Sequence, residues 1–415
     1  MQAVQKSLDP QLPPLEHAAS SRRWMILSLV LFTQVTISIV TQGIPTLSPF
    51  VQSDLYLTHG EVGLCNSAIV AGSLLALLAA GWVVDFYGEY IALVGGSIAV
   101  GIFCFVVAAT GHFVPALVAM LGVGIGAAMP TPAGTKAVMA WFPAHQRGFA
   151  LGIRQTGIPL GGAIAAAGLS TVAVSYGWRV AVAIAGVMCL IAAVFCVLFY
   201  ENPPNSVTPG VTGAKKDTLG FREIVTRNIF FLGLAGALLP LGQFCLITYL
   251  ALYLKETQGI PVTTSALLLV GAQIAGALGR ILWGLWSDRW WQRRRKPALL
   301  TANALGVVGT LILGWLPPGV PVPLVAVVVL FLAFNAIGWH GSWTALLAEL
   351  AGPERQGRTI GAAMTIMYPG IIALPPLFGM LVDLTHNWHL AWTFQAVVLL
   401  IGTLLILPVQ EGQAT

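Results

Sequence analysis

The chain has 415 residues, 57% of them hydrophobic and only 8% charged, which excludes a soluble globular domain because such domains carry about 25% charged residues. The apolar residues form stretches of roughly 20, long enough to cross a hydrocarbon core of about 30 Å as helices, without the short alternating segments of a β-barrel. The net charge of +5 comes mostly from one set of loops and gives nucleic-acid binding little support.

Twelve membrane-spanning helices are predicted in chain order, six on each side of a polar connection rich in Pro, Gly and Thr. In the first half they cover residues 24–46, 61–84, 90–110, 114–138, 148–172 and 179–200. In the second half they cover residues 229–254, 263–287, 297–316, 321–348, 358–383 and 388–408. We therefore expect an all-α membrane protein with an N-terminal tail (1–23), two six-helix bundles (24–200 and 227–408), a linker (201–226) and a C-terminal tail (409–415).

Basic residues are distributed unevenly over this topology. Of the 20 Lys and Arg residues, 15 lie on the side of the two termini, two (Arg179 and Lys255) lie on the opposite side, and three lie within the spans. The positive-inside rule therefore places both termini in the cytoplasm, as in a multi-pass protein of the bacterial inner membrane. The polar first 23 residues and the long first span do not resemble a cleavable signal, so we expect the first helix to be retained.

A membrane enzyme is the competing class, and the sequence disfavours it. The seven histidines are scattered, and no H-E-x-x-H metal motif occurs. The cysteines are odd in number and lie inside apolar spans, so we interpret them as packing residues. We therefore expect no catalytic site, no metal and no cofactor. The cysteines are Cys65, Cys104, Cys189, Cys196 and Cys245.

A short pattern repeats in the loops after the second and eighth spans. Each copy has a Gly followed by three residues and an Asp, as Gly81 with Asp85 and Gly284 with Asp288. Glycine lets two helices approach closely, and an Asp at a helix end can meet a neighbouring helix or a base. We therefore expect a repeated loop motif at these helix ends. Its other candidate members are Gly88, Arg289 and Arg293.

This pattern resembles the loop signature of the major facilitator superfamily, which reads Gly, three residues, Asp, Arg or Lys, any residue, Gly, any residue, Arg or Lys. The copies depart from it at Phe86, Tyr90 and Trp291. A second helix-end pattern, at residues 141–152 and 352–361, also recurs in both halves, as a duplicated six-helix unit predicts. The resemblance covers essentially the whole chain and implies two bundles related by a pseudo-two-fold axis. The stretch 136–162 looks most like bacterial organic-anion carriers, including the anion:cation symporter group.

Three basic residues, Lys136, Arg154 and Arg280, lie inside predicted spans, and the sequence shows no acidic residue at comparable depth. A cation in hydrocarbon costs at least a few kcal/mol, so it normally faces a bundle interior or an aqueous cavity. At about 1.5 Å per helical residue, all three fall in one layer between the midplane and the cytoplasmic face. Since they come from both halves, we expect an anion to bind between the halves.

Arg280 is the leading substrate-binding candidate. The matching position of the first half, four residues before Gly81, is Leu77, so the repeated scaffold does not require a charge there. A guanidinium matches a carboxylate with two parallel hydrogen bonds. Resemblance to the monocarboxylate and oxalate carriers also implies an arginine of this helix as the carboxylate ligand. The alternative is an Arg that binds backbone carbonyls and stabilises one packing arrangement.

Arg154 and Lys136 are the second and third candidates for the same layer. Arg154 lies in a fifth-span stretch rich in small residues, followed by Pro159, which can loosen the helix and free a carbonyl. Both side chains have an alternative, which is to extend along the helix to the cytoplasmic surface. The sequence leaves both possibilities open.

The coupling ion is the least defined part of the prediction. The acidic residues fall at helix ends, and His340 is the remaining titratable group deep in a span, so we regard it as the proton-coupling candidate. A buried, hydrogen-bonded histidine is the alternative. Further polar candidates for the cavity are interpreted individually as either substrate contacts or interhelical hydrogen bonds. They are Gln34, Gln155, Gln243, Tyr249, Gln273 and Tyr368.

We therefore predict a monomeric secondary transporter that moves a small organic anion, a mono- or dicarboxylate, across the inner membrane by alternating access. Its partners would be the anion, the lipid bilayer, and protons or a counter-anion, with no nucleic acid. The mode is either proton symport or anion exchange. The alternative in the same fold is an efflux carrier for amphipathic drugs, which predicts a buried acid in place of three buried bases.

Overall fold

The computed structural model describes residues 14–201, 225–292, 294–351 and 356–411. Within the helices, the side chains of residues 14–21, 78, 81–82, 85, 144–145, 147–149 and 356–358 are not described. The described chain is helical, with short connections and no strand in these ranges. The predicted all-α class is confirmed for this part of the chain.

Nine α-helices and one π-helical turn form the first half, residues 14–201, as far as it is described. The π-helical turn, Ala165–Leu169, joins the seventh and eighth helices. The helices are α1 Pro14–Thr46, α2 Ser48–Leu55, α3 His59–Ala109, α4 Phe113–Ala128, α5 Pro130–Trp141, α6 Ala144–Gln155, α7 Gly157–Ile164, α8 Ser170–Tyr176 and α9 Trp178–Phe199.

Eight further helices form the second half, residues 225–411, in its described ranges. They are α10 Arg227–Leu238, α11 Pro240–Gln258, α12 Val262–Trp290, α13 Arg295–Gly314, α14 Val322–Ala336, α15 Trp339–Ala351, α16 Gln356–Thr385 and α17 Trp388–Leu404.

Eleven stretches of the described chain are long and apolar enough to cross a membrane. Most begin and end within about four residues of the predicted bounds, such as Phe113–Trp141 against 114–138. The second stretch, His59–Leu77, is shorter than the predicted 61–84. The last helix, Trp388–Leu404, is apolar but has only 17 residues.

Several predicted spans are interrupted near their middle, although the apolar helical stretches Phe113–Trp141, Arg227–Gln258 and Val322–Ala351 run across these interruptions. Pro130 begins α5 directly after α4, and Pro240 begins α11 directly after α10. Proline has no N–H to donate and its ring clashes with the preceding turn, so each one interrupts the hydrogen bonds of the helix, while Met129 and Leu239 before them keep helical φ and ψ. The tenth span breaks before Trp339, and the fifth breaks at Thr156. Broken helices at membrane depth release backbone carbonyls, which transporters use at their binding sites.

Gly88 separates the second and third spans inside the long helical stretch α3. Its φ of 86° and ψ of 170° are inaccessible to most L-residues, so glycine is required at this position. An added Cβ at Gly284, in the other copy of the motif, would meet nothing within 4 Å. The prediction that Gly284 permits close helix approach is therefore wrong. The side chains of Gly81, Asp85 and Arg293 lie outside the described residues.

The two halves meet at one end of the bundle, the distal face, which holds His59, Glu256 and Asp383. Two hydrogen bonds also join the first half to the second half, from Ser48 Oγ to the Thr248 carbonyl and from Ser67 Oγ to the Ile372 carbonyl. The opposite end, the terminal face, holds the described chain ends. Every ion pair described at the terminal face joins residues of the same half. The halves are therefore closed at the distal face.

Close packing in the first half depends on Gly124, whose added Cβ would overlap the Ile69 carbonyl oxygen. We expect Gly124→Ala to lower the free energy of unfolding by roughly 1–3 kcal/mol, since α3 and α4 would have to separate. Gly95→Ala is the matched control because nothing lies within 4 Å of its Cβ. Thermal unfolding in detergent measures both. Equal Tm values for the two variants would contradict this packing argument.

Candidate functional site

Arg154 is the penultimate residue of α6. It lies deep in the bundle, and only 2% of the residue is exposed. Its Nη2 donates to Gln34 Oε1 at 3.2 Å and to the Thr131 carbonyl oxygen at 2.8 Å. Its Nε is buried with no hydrogen-bond partner in the described part of the chain. Arg154 therefore does not extend to the surface, and that alternative is wrong for this residue.

A polar stripe on α1 brings Gln34 to Arg154. Gln34, Ser38 and Gln42 recur every four residues and so share one helix face, where Gln34 Nε2 donates to Ser38 Oγ at 3.3 Å. The facing helix α7 presents Gly157 and Gly161, whose added Cβ atoms would lie 3.0 Å from Gln34 Cγ and 2.5 Å from Ser38 Cβ. These glycines let α1 and α7 approach closely enough for the stripe to reach Arg154.

Gln42 and Gln273 join the two halves at a position closer to the distal face than Arg154. Gln273 Nε2 donates to Gln42 Oε1 at 2.6 Å, and Gln42 Nε2 donates to the Ile158 carbonyl at 2.8 Å. An added Cβ at Gly162 would lie 2.8 Å from Gln42 Oε1. The sequence indicated both glutamines individually, but their pairing depends on how the halves pack.

Arg280 follows Gln273 by two turns of α12, about 10 Å along the helix axis and on the same face. Its Nε donates to the Ile337 carbonyl at 3.3 Å, at the break between α14 and α15. Its Nη groups have no hydrogen-bond partner, and no acid pairs with it, among the described residues. The side chain is surrounded by protein yet partly accessible.

His340 lies in the first turn of α15, and the next residue, Gly341, packs on the backbone of Arg280. The imidazole lies 5.5 Å from the Trp339 ring and 5.8 Å from the Trp343 ring, measured between centroids. Both indoles are fully buried, and Trp343 Nε1 donates to the Leu232 carbonyl at 2.9 Å. The two indoles therefore flank the histidine ring.

Lys136 differs from the other two cations because it has an acidic partner. Its Nζ lies 3.5 Å from Glu89 Oε1 and donates to the Val84 carbonyl at 2.9 Å. Our expectation that no acid lies at comparable depth is wrong for Lys136, since Glu89 is buried. The Lys136 side chain is 45% exposed and that of Glu89 is 7% exposed. Lys136 therefore lies at the periphery of the cation layer.

The remaining predicted candidates are distributed over several regions. Gln155 is exposed, whereas Gln243 and Tyr368 are partly buried. The Tyr249 hydroxyl lies 2.9 Å from the carbonyl oxygens of both His59 and Pro375, in the closed distal face. Tyr249 therefore holds the halves together at that end.

In the second-half loop motif, Asp288 Oδ1 pairs with Arg295 Nη1 at 2.7 Å, and Arg295 Nε reaches Glu349 Oε1 at 2.9 Å. Arg289 is exposed and lines a surface cavity of about 740 Å³ with Trp286 and Trp290. This cavity lies at the terminal face and is separate from the layer of Arg280. The motif thus ties α12 to α13 and α15 within one half.

The chain is similar to known membrane transporters. The family model of the Major Facilitator Superfamily matches residues 25–375. An uncharacterized MFS-type transporter of Mycobacterium tuberculosis is 29% identical over 385 residues, with 90% of this chain and 82% of its own length covered. The probable sulfoacetate transporter SauU of Cupriavidus necator is 26% identical, with 92% of each chain covered.

The hexuronate transporter of Bacillus subtilis is 26% identical, with 86% of each chain covered. Among solved structures, a D-xylose–proton symporter superposes with a TM-score of 0.77 over 94% of this chain and 99% of its own, at 15% identity. At that identity, the structural similarity concerns the fold alone.

The Lys136–Glu89 pair yields a stability prediction. Lys136→Met leaves the buried Glu89 carboxylate without this partner, so we expect it to lower the free energy of unfolding by about 1–3 kcal/mol. Lys136→Met combined with Glu89→Gln should recover at least part of that loss, because no charge is then left buried at this position. Tm values of the three variants in detergent provide the measurement. A double variant that is less stable than both single variants would contradict the pairing.

Proposed function

This chain belongs to the Major Facilitator Superfamily of membrane transporters, and we propose that it carries a small organic anion, a mono- or dicarboxylate, by alternating access. The observation that carries the proposal is Arg280, a deep, accessible guanidinium whose Nη groups have no partner in the described chain. Relatives that transport hexuronate and sulfoacetate, both organic anions, support the same substrate class.

We place α17 as a twelfth span, which completes two six-helix bundles at residues 24–200 and 227–408 joined by the linker 201–226. Its 17 residues cover about 25 Å, and the following turn extends it toward the full hydrocarbon thickness. One interruption in each half, in the fourth and the tenth spans, favours a pseudo-two-fold relation. The positive-inside rule then puts both termini and the terminal face in the cytoplasm.

With that orientation, the closed distal face is the extracytoplasmic one, and the structure corresponds to an inward-facing state. The described ion pairs at the terminal face stay within one half, so they do not oppose opening toward the cytoplasm. Closure at the distal face instead uses contacts between halves, including Gln42 with Gln273. Alternating access requires these contacts to break in the outward-facing state.

Arg280 would bind the substrate carboxylate through its Nη groups, while its Nε remains on the Ile337 carbonyl. In the first half, opposite Arg280, Arg154 donates to Gln34 and supplies the second positive pole. Lys136, paired with Glu89, adds a weaker field from the periphery. Gln155, Gln243, Gln273 and Tyr368 are candidate polar contacts, and we assign Tyr249 to the closure of the distal face.

His340 is the proposed coupling group for proton symport. A carboxylate bound to Arg280 would offset the guanidinium charge and so favour a proton on the His340 ring. Anion and proton would therefore bind cooperatively, and the coupling is reciprocal. His340→Gln, which retains a donor but does not titrate, separates symport from anion exchange because it abolishes only the former.

An efflux carrier for amphipathic drugs is the alternative, and the structure offers it little support. Such a carrier needs a buried acid available to a cation. The buried carboxylate of Glu89 already pairs with Lys136. Transport of cationic amphiphiles is therefore one of the outcomes that the proteoliposome assay distinguishes.

Proteoliposome uptake of labelled mono- and dicarboxylates, with and without a pH gradient, tests the proposal. We expect Arg280→Ala to raise KM or lower kcat/KM about 10- to 100-fold, because a charged hydrogen bond contributes roughly 1.5–3 kcal/mol. The kcat/KM of Arg280→Lys should lie between those of the wild type and Arg280→Ala, since an ammonium keeps the charge but cannot form two parallel hydrogen bonds to a carboxylate. Arg22→Ala, whose partner Glu201 is exposed, is the control.

Wild-type kcat/KM in Arg280→Ala would refute the assignment of the carboxylate ligand. Transport of cationic amphiphiles without any carboxylate would refute the substrate class and favour efflux.

A further inference from the structure

His59 connects the two halves at the distal face through both of its ring nitrogens. It is the first residue of α3, in the first half. Nδ1 lies 2.7 Å from Asp383 Oδ1 on α16, and Nε2 lies 3.2 Å and 3.3 Å from the two carboxylate oxygens of Glu256 on α11. A single imidazole thus bridges two acids that both belong to the second half.

Hydrogen-bond chemistry fixes the number of protons in this cluster. An ionised carboxylate only accepts hydrogen bonds, whereas a neutral imidazole has one donor and one acceptor nitrogen. Two ionised carboxylates on the two nitrogens therefore require the doubly protonated ring. If the ring is neutral, one carboxyl must carry the proton instead. In both cases the closed cluster holds one proton more than a neutral ring with two carboxylates.

Neighbouring groups position the two acids but do not replace that proton. Asp383 also accepts the backbone N–H groups of His59 and Gly60, at 2.9 Å and 2.8 Å, and so caps α3 from the other half. Glu256 Oε2 accepts from Trp388 Nε1 at 3.0 Å. The Trp388 indole lies edge-on to the imidazole, 5.2 Å away between ring centroids.

The other titratable or charged groups near this cluster are few in the described chain. Lys255 adjoins Glu256 and acts on it electrostatically. Glu61 forms the capping box of α3 with Thr58. The Tyr249 hydroxyl contacts the His59 carbonyl and not the ring. None of these groups takes part in the bridge that the His59 ring forms between the halves.

Asp54 is a further acid at the distal face, and it stays within the first half. Burial acts to raise the pKa of Asp54, but hydrogen bonds from Arg179 and Trp178 outweigh it and the net pKa is lowered. Asp54 therefore remains ionised through the neutral range and does not compete with the cluster as a titrating group.

We propose that His59, Glu256 and Asp383 form a proton-binding site that closes the distal face: binding of one proton joins the halves, and its loss separates them. Side-chain exposures of 17%, 37% and 26% leave the cluster accessible to protons from that side. Once deprotonated, the ring can no longer donate to both acids, and a nitrogen lone pair faces a carboxylate. Two negative charges on the second half then lack the bridging cation.

Closure is therefore linked to proton uptake, and a rising pH favours opening of the distal face. Because this proton binds in the closed state and leaves as the same face opens, it regulates the carrier without being transported. The site is distinct from Arg280 and His340, and the inference holds whichever solute is carried.

Spin labels on opposite halves of the distal face measure its opening directly. Ser175→Cys, at the end of α8, and Pro318→Cys, in the loop between α13 and α14, are both exposed. The five native cysteines are free and buried, and are replaced by serine in this background. The label-to-label distance distribution is recorded in nanodiscs without substrate, at about pH 5.5 and about pH 8.5, which bracket ordinary histidine titration.

With His59 present, we expect the ratio of open to closed distance populations to rise at least about fivefold between the two pH values. His59→Gln retains a side-chain donor but does not titrate, so its ratio should change less than about twofold. His389→Gln is the matched control. That histidine also lies at the distal face, but its Nδ1 contacts the Gly314 carbonyl within the second half. It should keep the full pH response.

Glu256→Gln provides an independent reading if His59→Gln fails to fold. This substitution removes the acid at Nε2 of His59, while Asp383 still caps α3. The His59 ring then no longer needs a second proton in the closed state, so the pH response should shrink. A full pH response in His59→Gln or Glu256→Gln, or no response in the parent protein, would overturn the proposal. The distances do not depend on transport, so loss of carboxylate uptake in Arg280→Ala neither supports nor contradicts this site.

Discussion

A cation inside a bilayer must be solvated by the protein, and this requirement organises the interior of the chain. Each of the three intramembrane bases donates to a backbone carbonyl: Arg154 to Thr131, Arg280 to Ile337 and Lys136 to Val84. An intact helix uses its carbonyls for its own hydrogen bonds, so such acceptors are most available where helices break. Ile337 lies at such a break, after α14, whereas Thr131 lies in the first turn of α5. The break after α14 and the buried Arg280 are therefore parts of one arrangement.

Small residues determine how closely the helices that carry these groups can approach. The polar stripe of α1 reaches Arg154 and Gln273 because α7 presents glycines toward it, including Gly161. In the second half, an added Cβ at Gly341 would lie 3.1 Å from the Arg280 carbonyl oxygen, so α15 packs directly on α12. Without a hydrophobic driving force between helices in lipid, such contacts and hydrogen bonds account for much of the association. The polar layer thus depends on the glycine pattern around it.

The two ends of the molecule use different interactions. At the terminal face, Arg295 ties Asp288 and Glu349 together inside the second half. At the distal face, His59 and Tyr249 connect different halves. The described contacts between the halves at this face thus join the two units, whereas the described ion pairs of the terminal face hold each unit together internally.

The sequence by itself determined the membrane class, the α-helical fold, most span limits and the presence of three bases at membrane depth. Hydropathy and charge are local properties, so they can be read without knowing what packs against what. The sequence also identified Arg280 and His340 as candidates, and their roles remain proposals. It did not reveal that Glu89 reaches Lys136, that Gln42 meets Gln273, or that His59 bridges two acids more than 190 residues away. Only the tertiary structure decided these pairings, because helix rotation and the contact between the halves bring together groups that are far apart in the chain.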